Sequence, residues 1–401
     1  MENSLILVVN CGSSSLKFAL IPENKSDPIL SGLAECLGQK DSSITYKTPD
    51  GEKKKASLEG GDHAVALDAL LKFIEEKGWL SKVIAIGHRL VHGGEKFNGS
   101  VLITDAVIET MEECVPLAPL HNPANLLGVR VAKKLLPSLP QVGVFDTAFH
   151  QTMPKEAFLY AVPMSFYRDY GVRRYGFHGT SHHFVAQETV KMLDLDPNDH
   201  GIVIAHLGNG ASATAVKNGK SVDTTMGLTP LEGLVMGTRS GDIDPGAVFY
   251  MANRTGKSMQ DIDTILNKES GLLALSELSN DCRVLEEAAG NGHEGAILAL
   301  DVFCHRLARL AAGLAMSLDR FDALVFTGGI GENSPFVRKN TVNRMKPFGF
   351  TLDEEANNVT WRGKSGLISA PFAKGPKLLV VCTNEELMIA RDTARIAKSG
   401  S

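Results

Sequence analysis

A chain of 401 residues is too long for one comfortable core, which predicts two domains. Apolar residues make up 43% and charged residues 22%, the balance of a soluble globular protein, and a net charge of -5 gives no support for nucleic acid or an anionic membrane surface as partner. No apolar run reaches the roughly 18 residues of a membrane helix, and the first residues show neither a basic region nor a cleavable apolar segment. The six cysteines are scattered without CxxC spacing and read as reduced thiols rather than disulfides or zinc ligands. The expectation is a cytoplasmic protein.

In chain order, Leu5 to Val9 is a buried strand, apolar and rich in β-branched residues. It runs into Asn10-Cys11-Gly12-Ser13-Ser14-Ser15-Leu16-Lys17, a turn with small residues, hydroxyls and a cation. These are the parts of a phosphate cradle, although an ordinary hairpin would use the same residues. Residues 22–60 are polar and broken by Gly, Pro and Asp, which predicts short antiparallel strands with exposed loops. His63 to Gly78 has helical periodicity. Val83 to Ile86 is the next strand, delivering His88-Arg89-Leu90-Val91-His92-Gly93-Gly94. Residues 104–114 and 122–136 read as helices around a constrained proline-rich link that contains Leu120. Gln141 to Phe145 is a strand ending at Asp146, and a first α/β domain closes near there.

The second half opens on a basic, aromatic stretch, Phe166 to His183, with the turn Tyr175-Gly176-Phe177-His178-Gly179-Thr180-Ser181 and a helix to about Leu193. Ile202 to Val216 then repeats the opening event: a buried strand, a turn at His206-Leu207-Gly208-Asn209-Gly210, and another strand. Gly12 matches Gly208 and Asn10 matches His206, 196 residues apart. The recurrence implies two related halves, each with a phosphate loop. A long amphipathic helix is predicted from Glu294 to Leu318, followed by a strand, Ala323 to Phe326, and a third glycine turn, Gly328-Gly329-Ile330-Gly331-Glu332-Asn333. A last strand, Leu378 to Val381, leads into Thr383-Asn384-Glu385-Glu386 and a terminal helix. Thr383 with Glu386 fits a capping box.

None of the three glycine turns has the GxxxxGK[ST] or GxGxxG spacing, so P-loop and Rossmann readings fail. Three such turns in a duplicated chain point to nucleotide binding. The motifs NxGSSSxK (Asn10–Lys17), HRxVHGGE (His88–Glu95), GFHGTSH (Gly176–His182) and HLGNGAS (His206–Ser212) resemble those of the acetate kinase family. So do GxxMGTRSGDIDP (Gly233–Pro245), FTGGIGEN (Phe326–Asn333) and TNEE (Thr383–Glu386). The resemblance runs from end to end. It implies an α/β fold of two duplicated ribonuclease H-like domains with an interdomain active-site cleft, as in the actin-like ATPase superfamily. The domains would span 1–148, with the helix 385–401 packing back on it, and 149–384, the latter binding nucleotide and dimerising.

The implied reaction is reversible transfer of the ATP γ-phosphoryl group to acetate, giving acetyl phosphate and ADP. Both reactants are anions, so catalysis is mostly alignment and charge neutralisation. Arg89, Arg239 and His178 match the family's substrate arginine and transition-state pair. Asp146 matches its catalytic aspartate. A carboxylic acid is already ionised at neutral pH, so Asp146 is expected to orient Arg89 or a metal-bound water rather than act as a base. Asn10 and Glu385 match the positions that hold Mg2+, with Mn2+ able to replace it. Magnesium takes few protein ligands beside waters and phosphates.

Lys17 and His206, Leu207, Gly208, Asn209 and Gly210 would hold phosphates. Asp281, Cys282 and Arg283, with Gly329, Ile330, Gly331, Glu332 and Asn333, resemble the adenosine contacts. Val91, Leu120, Phe177 and Pro230 match the apolar pocket for the methyl end, although the same residues would suit an ordinary core. The resemblance further implies a homodimer. A propionate kinase with a roomier pocket would use the same chemistry. A non-metabolic actin-like ATPase would need neither a small-anion pocket nor a carboxylate acceptor.

Overall fold

The structure, a computed structural model, describes residues 4–119 and 121–399. Leu120 lies outside the described residues. The chain divides into two compact units, residues 1–149 with 384–401, and residues 150–383.

The first unit is built on one sheet of eight strands: β1 (Leu5–Cys11), β2 (Leu16–Pro22), β3 (Leu30–Glu35), β4 (Ser43–Lys47), β5 (Lys53–Ser57), β6 (Val83–Leu90), β7 (Val101–Leu102) and β8 (Gln141–Phe145). Their order is β5-β4-β3-β2-β1-β6-β8-β7. β1 to β5 form an antiparallel meander, while β1, β6 and β8 run parallel. The apolar run Leu5 to Val9 is buried at every position, as a strand covered on both faces requires. The helix His63–Glu76, capped by Asp62, lays Leu67, Leu70 and Ile74 into this core.

The second unit repeats the plan. β9 (Gly201–Leu207), β10 (Ala211–Lys217) and β11 (Lys220–Thr224) form the meander, and β12 (Ala323–Thr327), β14 (Lys377–Val380) and β13 (Gly366–Leu367) complete the order β11-β10-β9-β12-β14-β13. Again the first strand has an antiparallel partner on one side and two parallel strands on the other. The helix Glu294–Ala315 packs its Ala- and Leu-rich face on β9 and β10. The duplication inferred from two turns thus extends to matching strand order around β1 and β9.

Three expectations need correction. The strand expected over Val83 to Ile86 runs through Leu90, so His88 and Arg89 lie within it rather than after it. The third glycine turn is instead a short helix, Gly328–Asn333. Thr383 and Glu386 form no capping box. Asn384 takes that part, its Oδ1 accepting the Leu387 N–H at 2.9 Å, while Glu386 pairs with Lys17 at 2.8 Å. The terminal helix Glu385–Ser399 packs on β6 and β8. That contact is close enough to require Gly87, where a Cβ would come 2.3 Å from Thr393 Oγ1.

Candidate functional site

In the first unit, candidate residues gather at the carboxyl ends of the three parallel strands, where ligands of α/β sheets commonly bind. Asn10 closes β1 opposite Lys17 on β2. Arg89 comes from the end of β6, Asp146 follows β8, and Glu385 and Glu386 open the terminal helix. The Arg89 guanidinium grips Asp146 as a fork: Nη2 donates to Oδ2 at 2.8 Å and Nε to Oδ1 at 3.2 Å. Glu385 Oε2 lies 3.7 Å from Arg89 Nε. Asp146 is buried, which pushes its carboxyl up from the ordinary range while Arg89 opposes the shift. The same pairing holds Arg89 firmly protonated.

Lys17 remains largely exposed but is engaged by Glu386. The Asn10 carboxamide makes no hydrogen bond among the described residues. Val91 is half-buried, and its amide donates to Asn125 Oδ1 at 2.9 Å.

In the second unit, Gly328 follows β12 with φ +76, and a Cβ there would sit 2.8 Å from the Leu207 carbonyl oxygen. The Glu332 carboxylate accepts N–H bonds from Gly328 at 2.9 Å and from Thr383 at 3.0 Å. These bonds, with the permissive Gly328, explain why a glycine-rich run coils into a helix. They also assign the Glu332 carboxylate a structural role, and Gly331 packs beneath it against Phe326. Gly329, Ile330 and Asn333 instead line an open cleft of about 780 Å³ with Gly208, Asn209, Asp281, Cys282 and Arg283. A Cβ on Gly329 would meet nothing within 4 Å, so bare backbone faces open space.

Of the remaining phosphate-loop residues, Leu207 is fully buried, backbone and side chain alike, and does not line the cleft. His206 stacks on His178 with centroids 4.3 Å apart and bonds Ser181 through Nδ1 at 2.8 Å. His178 itself has left-handed backbone, φ 57 and ψ 23, an unfavourable geometry for a histidine. It stands just before the helix Gly179–Leu193 and bonds Ser212 through Nδ1.

Arg239 arrives on a loop fixed by backbone bonds, Met236 N–H to Arg239 O at 3.1 Å and Leu272 N–H to Met236 O at 2.9 Å. Its guanidinium donates to the Pro230 carbonyl at 3.1 Å and meets no carboxylate among the described residues; burial lowers its pKa. Arg239 and His178 converge on Gly210: a Cβ there would be 3.4 Å from Arg239 Nη1 and 3.7 Å from His178 Nε2. Phe177 is buried, its carbonyl 2.9 Å from His150 Nε2, and Pro230 is tied to Arg239. Sequence reasoning missed Asn280, Trp361 and Arg362, which line the same cleft. The only local signal was an isolated Trp-Arg pair in a polar stretch.

Two related α/β units with glycine turns after their first strands, an open cleft with bare backbone in its lining, and an arginine, Arg239, that meets no carboxylate among the described residues define a phosphoryl-transferring kinase of the actin-like ATPase fold. The acetokinase family model matches residues 5–391. The chain belongs to the acetokinase family, and is thereby a nucleotide-using phosphotransferase with a carboxylate acceptor. It is 57% identical to an acetate kinase of Chromobacterium violaceum, over 98% of this chain and 99% of that protein. It is also similar to the crystal structure of Porphyromonas gingivalis acetate kinase, at TM-score 0.94, 45% identity and 98% and 99% coverage. A propionate kinase from Francisella tularensis matches at TM-score 0.92 and 44% identity, over 98% of this chain and all of that one.

Proposed function

We propose that the acceptor is acetate and that the chain catalyses reversible in-line transfer of the ATP γ-phosphoryl group to it, as a cytoplasmic homodimer. The observation that carries this reading is Arg239, a half-buried arginine without an acid partner among the described residues, converging with His178 on bare Gly210 backbone. An arginine so placed neutralises charge that develops on a transferring phosphoryl group, a contribution of roughly 10³–10⁵ in rate in related chemistry.

The remaining residues fit the same reaction. Gly208, Asn209 and Gly210 offer backbone to phosphates, and the cleft by Asp281, Cys282 and Arg283 takes the nucleoside. Arg89, aimed by Asp146, receives the substrate carboxylate, which is ionised already and needs no base. Val91, Phe177 and Pro230 supply apolar surface for the methyl group, with Leu120 as the fourth member. Lys17 serves a phosphate by exchanging Glu386 for it.

Asn10 and Glu385 suit magnesium. The Asn10 carboxamide oxygen is uncommitted, and no cluster of three or more His, Cys, Asp or Glu among the described residues would cage an ion without substrate and water ligands. When bound, the metal supplies positive charge to the phosphate oxygens. The homodimer rests on the family and on the helix Pro245–Thr255, which buries none of its residues and exposes Phe249 and Tyr250. No helix among the described residues is long and apolar enough to cross a membrane.

The test is a kcat/KM series over formate, acetate, propionate and butyrate, with acyl phosphate trapped by hydroxylamine. A maximum at acetate is expected. A maximum at propionate would favour the activity of the F. tularensis relative, and ATP turnover indifferent to carboxylate would overturn the reading. Inversion at a chiral γ-phosphorus would support direct transfer, and retention would overturn it.

A further inference from the structure

Two imidazole rings of the second unit meet on one hydroxyl. His178 Nδ1 lies 3.0 Å from Ser212 Oγ, and His182 Nε2 lies 2.7 Å from the same oxygen. Ser212 and His182 are fully buried. Burial keeps the His182 ring neutral, lowering its pKa well below the ordinary value, with the nearby His150 and His206 rings adding to the effect.

The other nitrogen of His182, Nδ1, is buried without a hydrogen-bond partner. This orphan selects the tautomer. A proton there would be a buried donor with nothing to receive it, the rarer and costlier kind of unsatisfied group. The proton therefore sits on Nε2, which donates to Ser212 Oγ. Ser212 has one proton of its own and, among the described residues, only the two rings as side-chain partners, so its O–H donates to His178 Nδ1. The proton of His178 is then on Nε2, the ring nitrogen on the Gly210 and Arg239 side.

We propose that Ser212 and His182 are positioning residues whose hydrogen-bond chain, His182 Nε2–H to Ser212 Oγ–H to His178 Nδ1, holds His178 as a neutral imidazole with its proton on Nε2. His178 then meets the transferring phosphoryl group as a neutral donor beside the Arg239 cation, not as a second cation. An imidazolium at His178 would aim two N–H donors at Ser212 Oγ and leave the serine proton without a described acceptor. The proposal rests on the catalytic reading of His178 given above. The chain also explains why a histidine tolerates left-handed backbone: the ring is pinned at Nδ1 by Ser212 and across its face by His206.

The decisive measurement is the 15N spectrum of histidine-labelled full-length protein at neutral pH, with the His178 signals assigned by their loss in His178→Gln. A protonated Nε2 and an unprotonated Nδ1 are expected, and a protonated Nδ1 overturns the proposal. In Ser212→Ala and His182→Leu the tautomer should become mixed, with kcat lower by about tenfold or more while KM for acetate stays within about twofold. His182→Gln, whose side-chain amide replaces the Nε2–H donor, should recover most of the loss. A Ser212→Ala enzyme with unchanged tautomer and kcat overturns the chain. An active His178→Ala enzyme would instead overturn the catalytic reading, while the wild-type spectrum would still decide the tautomer.

Discussion

Arg89 and Asp146 form a two-pronged ion pair, 2.8 and 3.2 Å, at the ends of neighbouring parallel strands of the first unit. The aspartate is buried and the arginine a quarter exposed, so the pair has an inner anchor and an outer working face. Asp146→Asn keeps the shape and removes the charge. We expect kcat/KM for the carboxylate to fall by about 10²–10³, because Arg89 loses its aim and its buried counter-ion. The limbs of the pH–rate profile should stay where they are in wild type. Disappearance of a basic limb in Asp146→Asn would instead make the aspartate a general base.

Val91 is half-buried, and its backbone amide donates to Asn125 Oδ1. If it bounds the methyl pocket, shortening it should admit a longer chain. Val91→Ala should then improve propionate and butyrate relative to acetate by about 1 kcal/mol per methylene in kcat/KM. An unchanged preference across the acid series would remove Val91 from the pocket.

The strands were legible because Leu5–Val9, Ile202–Leu207 and Ala323–Phe326 are short, mostly apolar runs buried at every position, a pattern that needs no distant partner to be read. The duplication was legible because its two turns repeat. What escaped depends on distant contacts. Thr383 and Glu386 satisfy a local capping rule, yet Thr383 bonds Ser181 and Glu386 bonds Lys17, residues hundreds of positions away. The loop that carries Arg239 has no period, and its shape comes from backbone bonds to Leu266, Ser270 and Leu272. Trp361 and Arg362 join the cleft through Asn333, which nothing in their own stretch announces.

Arg338 shows how that cleft is held. It is fully buried, and burial brings its pKa down to about 10, still protonated at neutral pH. Its donors reach the carbonyls of Gly331 and Glu332 on one side, and Asn357 Oδ1 with the carbonyls of Asn357 and Thr360 on the other. Arg338→Met leaves those acceptors unpaired and should destabilise the second unit by about 3–5 kcal/mol in urea unfolding. In the surviving folded enzyme, KM for ATP should rise while KM for acetate does not. Equal changes in both would mean that Arg338 supports the fold without shaping the cleft.

Trp361 lines the cleft with the Arg362 guanidinium stacked 3.9 Å over its ring. The chain's other tryptophan, Trp79, packs against the core of the first unit. ATP or ADP should change tryptophan emission, acetate alone should not, and Trp361→Phe should abolish the response while Trp79→Phe preserves it. A signal that survives Trp361→Phe would place the nucleotide elsewhere.

Each unit also contains a histidine kept neutral by burial. His88 in the first and His150 in the second are both lowered to about 4, against an ordinary value near 6.5; desolvation outweighs the bonds that His88 makes to Gln141 and His150 to the Phe177 carbonyl. A folded pKa below the unfolded one means that the unfolded chain binds the proton first. The stabilising effect of neutral burial is therefore complete above about pH 6.5 and is lost as pH falls toward 4. Ordinary carboxylates change little between pH 6.5 and 5, so the slope in that window reports mainly on histidines. Urea midpoints should fall there, with each buried histidine removing about 1–2 kcal/mol by pH 5. Stability that stays flat across that window would mean that these rings accept protons inside the fold.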